Sequence, residues 1–80
     1  MGSKVYVDVL AAWTREGKIV PKVVKWFDGT RYAVDQVLDV RPAAASKAGG
    51  VGVRYTVRIG RRQSYLFLEE DRWFVVPNAS

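Results

Sequence analysis

From Val51 to Gly60 the chain alternates. Val53, Tyr55, Val57 and Ile59 fall on one side, Arg54, Thr56 and Arg58 on the other. Only an extended strand sorts residues with a period of two, so this segment is a strand with one face toward a core and one toward water. Residues 4–10 repeat the pattern, with Val5, Val7 and Val9 opposed to Tyr6 and Asp8. Fourteen of the 80 residues are valine. β-Branched side chains pack well on a pleated surface and lose rotamer freedom in a helix, so the apolar residues belong to strands.

The first strand extends through Ala11 and Ala12 to Trp13, and Thr14-Arg15-Glu16-Gly17 turns the chain. A second strand covers residues 18–27. Pro21 inside it cannot donate to a ladder, and Val23-Val24 interrupts the alternation, so this strand is an edge or carries a bulge. Asp28-Gly29 predicts a type I′ hairpin turn. Residues 30–41 return as a third strand, on the alternation of Tyr32, Val34, Gln36, Leu38 and Val40; a helix would also gather Val34, Val37 and Leu38. Residues 41–50 read as a loop, with a short helical turn over 43–48 open to its alanines. After the strand at 51–60, Gly60-Arg61-Arg62-Gln63 turns the chain and residues 64–69 return. Glu70-Asp71 turns again, and residues 72–76 form the last strand before Pro77.

Short strands joined by tight turns predict one all-β domain over residues 1–80. The expected architecture is a five- to six-stranded antiparallel barrel, SH3-like by size, with an OB-like barrel as the alternative.

Charge is uneven. Residues 41–62 hold Arg41, Lys47, Arg54, Arg58, Arg61 and Arg62 and no acid, which accounts for the net charge of +5. A four-residue turn pairing Ile59 with Ser64 places Val57 beside Leu66 and Tyr55 beside Leu68 in the core. On the wet face it sets Arg58 against Tyr65, Thr56 against Phe67 and Arg54 against Glu69. Basic groups attract phosphates and rings stack on bases, so Arg41, Lys47, Arg54, Arg58, Arg61, Arg62, Tyr65 and Phe67 form a candidate nucleic-acid surface for DNA or RNA. The plain structural alternative is a cation–π pair and a cross-strand ion pair on an ordinary exposed sheet, with Phe67 covered by a neighbour.

Other motifs carry less. Gly49-Gly50-Val51-Gly52 follows Lys47 instead of preceding a Lys-Ser/Thr pair, so it is not a phosphate loop. Glu69-Glu70-Asp71 alternates in direction and reads as a solvated turn. Asp35 and Asp39 share a strand face, but no cleft is indicated around them. Asn78-Ala79-Ser80 matches a glycosylation acceptor without a secretory signal to use it.

With neither cysteine nor histidine, there is no disulfide, no thiolate and no imidazole base or ligand. A non-enzymatic, cytoplasmic domain without cofactor, metal or membrane span is expected. The runner-up is a protein-interaction module or homo-oligomer, joined through the edge around Pro21 and the tryptophans Trp13, Trp26 and Trp73. The segment 47–59, with Tyr65-Leu66-Phe67 and Trp73-Phe74-Val75, resembles a group of short uncharacterised bacterial proteins of similar length. That resemblance implies no activity.

Overall fold

A computed structural model describes residues 4–44 and 51–76. Seven strands form one antiparallel sheet: β1 (Val5–Trp13), β2 (Ile19–Lys25), β3 (Arg31–Ala33), β4 (Gln36–Ala44), β5 (Val51–Ile59), β6 (Arg62–Glu69) and β7 (Arg72–Val75), in the order β3-β2-β1-β7-β6-β5-β4. Each strand pairs with its sequence neighbour except at one place, between β3 and β4, and β7 returns to β1.

That one break explains the curl. β3 and β4 stand at opposite ends of the sheet, yet only Val34 and Asp35 separate them. The sheet must bend until its edges approach, because a two-residue link spans at most about 10 Å. Val34 N–H donates to the Lys22 carbonyl at 2.9 Å, and Asp35 N–H to the Arg58 carbonyl at 2.8 Å. Neighbouring amides therefore tie β2 and β5, strands from opposite ends of the sheet. The result is an all-β, barrel-like fold. The expected third strand at 30–41 is this corner, divided in two because no single straight strand reaches both edges.

The turns follow from backbone chemistry. Thr14 N–H donates to Lys18 O at 2.9 Å and Trp26 N–H to Thr30 O at 2.7 Å; Gly17 and Gly29 each donate back to the first residue of their loop. With φ of 83° at Gly17 and 91° at Gly29, both are type I turns closed by a left-handed glycine. Asp28-Gly29 thus belongs to a three-residue loop with Phe27, not to the type I′ turn expected. Asp28 Oδ1 accepts the Thr30 N–H at 2.9 Å, and that bond holds its carboxyl below the ordinary pKa.

Two bulges re-aim side chains. On β2, Leu10 pairs with Val23 and Ala11 with Pro21, which leaves Lys22 extra. The bulge expected at Pro21 is present, and β3 pairs only with Val23–Lys25, so this half of β2 is bordered by β1 alone. The Pro21 side chain itself is fully buried, which removes it from any exposed interface. On β4, Val37 pairs with Val57 and Asp39 with Thr56, which leaves Leu38 extra. The strict alternation read across 36–40 fails there. β4 also runs on through Ala44, so the front of the expected 41–50 loop is strand.

The inner face holds the core: Val7, Val24, Tyr55, Val57, Leu66 and Leu68, with Trp26 and Trp73 packed against them. Trp13 is 73% exposed at the end of β1. Tyr55 crosses the interior, and its hydroxyl donates to the Ile19 carbonyl at 2.9 Å.

Candidate nucleic-acid interface

The β5–β6 hairpin has a tighter turn than its sequence suggested. Ile59 pairs with Arg62, and Gly60 takes φ of 62° at the first of two turn positions, the type II′ pattern. The register therefore moves two residues from the one expected. Because two is the side-chain period, every residue of the hairpin keeps its expected face while its partner changes. Arg58 lies opposite Gln63 instead of Tyr65, Thr56 opposite Tyr65 instead of Phe67, and Arg54 opposite Phe67 instead of Glu69.

This register generates a continuous row on the outer face. Arg41 pairs with Arg54, Arg54 with Phe67, Phe67 with Phe74, and Phe74 with Tyr6. Five adjacent strands each supply one residue, so the row crosses about 19 Å of sheet. Two guanidinium groups lead into three rings. Phe67 stacks on Phe74 with centroids 5.2 Å apart and planes 6° apart; Tyr6 meets Phe74 edge-on at 5.8 Å.

Cations flank the rings. Arg54 lies over Tyr65 at 4.8 Å, Lys4 over Phe74 at 4.7 Å and Arg72 over Tyr6 at 5.1 Å. Such contacts stabilise by about 0.5–1 kcal/mol at exposed sites. Phe74 is only 4% exposed although it points away from the core, because Phe67, Tyr6 and Lys4 cover it. It supports the face without presenting a surface. Tyr6 and Tyr65 are each 48% exposed, and Phe67 is partly buried.

The charges differ in availability. Lys4 Nζ bonds Glu69 Oε1 at 3.2 Å, and Arg41 Nε bonds Asp39 Oδ2 at 2.7 Å. The ion pair expected between Arg54 and Glu69 is thus replaced by Lys4 and Glu69. Arg54 has no ion pair among the described residues, and its Nε is buried without a hydrogen-bond partner. Burying such an N–H costs about 1–3 kcal/mol, so the Arg54 head is held on Tyr65 at some expense.

Of the eight residues singled out from sequence, Arg41, Arg54, Tyr65 and Phe67 come together. Arg58 shares their face but lies four residues along β5 from Arg54, about 13 Å away. Arg61 occupies the turn. Arg62, paired with Ile59, belongs to the inner row and lines the mouth of the sheet instead. Lys47 falls outside the described residues, as do the Gly49-Gly50 pair and the Asn78-Ala79-Ser80 triplet. Lys4, Tyr6, Arg72 and Phe74 were missed. The outward direction of Tyr6 was readable from alternation, but the pairing of β1 with β7 that brings it to Phe74 was not.

Asp35 and Asp39 are separately engaged. Asp35 Oδ2 accepts the Gly60 N–H, while Asp39 holds Arg41. They do not form an acid–base pair. Among the described residues no group of three or more histidine, cysteine, aspartate or glutamate side chains is placed to hold a metal ion. Nor is any helix among them long and apolar enough to cross a membrane.

The fold and this outer face define an all-β, barrel-like protein with a mixed aromatic and cationic sheet surface. No family model, curated protein or solved structure matches the chain.

Proposed function

We propose that the outer face binds single-stranded nucleic acid, as a non-enzymatic accessory domain. The observation that carries this reading is the row from Arg41 to Tyr6, bordered by Tyr65. Two guanidinium groups run into three rings at the spacing of neighbouring strands, and Tyr6 in the row and Tyr65 beside it are the half-exposed rings. Base stacking on such rings tolerates any sequence, while arginines neutralise the backbone. Arg54 serves both parts: in leaving the Tyr65 ring for a phosphate, it frees a stacking surface and finds partners for its N–H groups.

Fluorescence anisotropy of labelled oligothymidylate and oligouridylate tests the proposal. Affinity should fall linearly with log salt between about 50 and 200 mM. Arg54→Ala should shallow that slope by about 0.7, the value for one phosphate of a single strand. Tyr65→Ala should weaken binding by about 1–3 kcal/mol. Absence of binding at low salt, or binding indifferent to salt, overturns the reading.

Five of the six hydrogen-bonded strand pairs join sequence neighbours, the exception being β1 with β7. This largely meandering order favours the SH3-like assignment over the Greek-key order of an OB-like barrel.

A second reading, self-association, has one observation behind it. β4 is an edge of nine residues with Leu38 44% and Val40 52% exposed. Exposed apolar edges recruit further strands. Sedimentation should then show a dimer that Leu38→Lys dissociates; a monomer at all concentrations rejects it.

A further inference from the structure

The inner row of β6 changes character along its length. It reads Arg62, Ser64, Leu66 and Leu68, opposite Ile59, Val57, Tyr55 and Val53. Leu66 and Val57 are each 1% exposed, whereas Ser64 and Arg62 are open to solvent. Between them lies a cavity of about 260 Å³, whose floor is Val57, Leu66 and Val24 and whose far wall is Trp26 and Tyr32. This is the end of the curled sheet that the Val34-Asp35 corner draws together.

A serine and an arginine on a core-facing row need a reason, since a filled barrel mouth would carry apolar residues there. Among the described residues Arg62 has no ion pair, and neither side chain has a hydrogen-bond partner. Polar groups at the rim over an apolar floor are the pattern of a site for an amphipathic small molecule. The guanidinium at the rim selects a carboxylate, which it bonds through its planar fork. Ser64 offers a second donor one step deeper. At about 30 Å³ per water-sized group, the cavity takes roughly eight or nine non-hydrogen atoms.

We propose that this mouth binds a small monocarboxylic acid with an apolar tail, the carboxylate on Arg62 and Ser64 and the tail against Val57, Leu66 and Val24. Arg62, Ser64 and Leu66 open the site on the inner face, and Tyr65, which borders the aromatic row, also lines it.

Hexanoate, with eight non-hydrogen atoms, and its neutral twin hexanol separate recognition of charge from simple partition. Methyl-resolved NMR titration of the whole chain should show hexanoate moving the Val24, Val57 and Leu66 signals in a saturable way, with hexanol binding at least fivefold more weakly. Arg62→Gln, a change at an exposed position, should weaken hexanoate to the level of hexanol and leave hexanol unchanged. Equal affinity for acid and alcohol overturns the proposal. So do shifts centred on the exposed Leu10 and Leu38, or no saturable shift at all.

Discussion

The Arg54 guanidinium lies 4.8 Å from the centre of the Tyr65 ring, diagonal to its own cross-strand partner Phe67. This contact exists only because Gly60 closes a two-residue turn; in the four-residue alternative Arg58 would hold the ring. The two registers predict different energetic partners. A double-mutant cycle on Arg54→Ala and Tyr65→Ala in urea should give a coupling of about 0.5–1 kcal/mol. The same cycle with Arg58→Ala should give a coupling near zero. The reverse result would restore the four-residue turn.

Gly52 shows how closely β4, β5 and β6 approach. A Cβ there would meet Ala43 O and Leu68 O at 3.3 Å and Glu69 Cγ at 3.2 Å. The glutamate can move, but the two carbonyls belong to the flanking strands and cannot. Gly52→Ala should therefore destabilise by about 1–3 kcal/mol, read as a lower urea midpoint at unchanged m-value.

Glu70 presents the opposite case. Its φ is 57°, a left-handed conformation in a non-glycine residue at the first position of the β6–β7 turn. That backbone costs an L-residue about 1–2 kcal/mol. Glu70→Gly should raise the melting temperature by about 4–8 °C per kcal/mol relieved. An unchanged or lower melting temperature would mean that the turn stores no such strain.

Tyr55 ties β5 to β2 through its hydroxyl, and burial pushes its pKa above the ordinary value. A raised folded pKa means the protonated form is favoured by folding. The stabilisation is fully present below the unfolded value, about pH 10, and is lost as pH rises through the folded value. Tyr55→Phe should cost about 1 kcal/mol at neutral pH. It should also flatten the decline in stability above about pH 10, measured by urea melts across that range.

Period-two alternation was enough to sort most side chains between core and water, so Val53, Tyr55, Val57, Leu66 and Leu68 were legible without coordinates. Register was not, since a shift of two residues leaves each face unchanged; only Gly60 and its turn type decide it. The corner at Val34-Asp35 was hidden for a different reason. Its residues continue an extended pattern, and the bend arises from the demands of two distant strands. Tyr6 and Phe74 escaped notice because the pairing of β1 with β7 joins the two ends of the chain, a contact that local pattern does not encode. Arg62 was misplaced among the phosphate-binding group because a turn residue in one register is an inner-row residue in the other.

Amide and side-chain NMR mapping with oligothymidylate at low salt tests the outer-face proposal most directly. The expected perturbations centre on Tyr6, Arg54, Tyr65 and Arg72, on four different strands of one surface, and fade together as salt is added. Perturbations confined to the β4 edge or to the Arg62 mouth, or a spectrum that does not change, would contradict it.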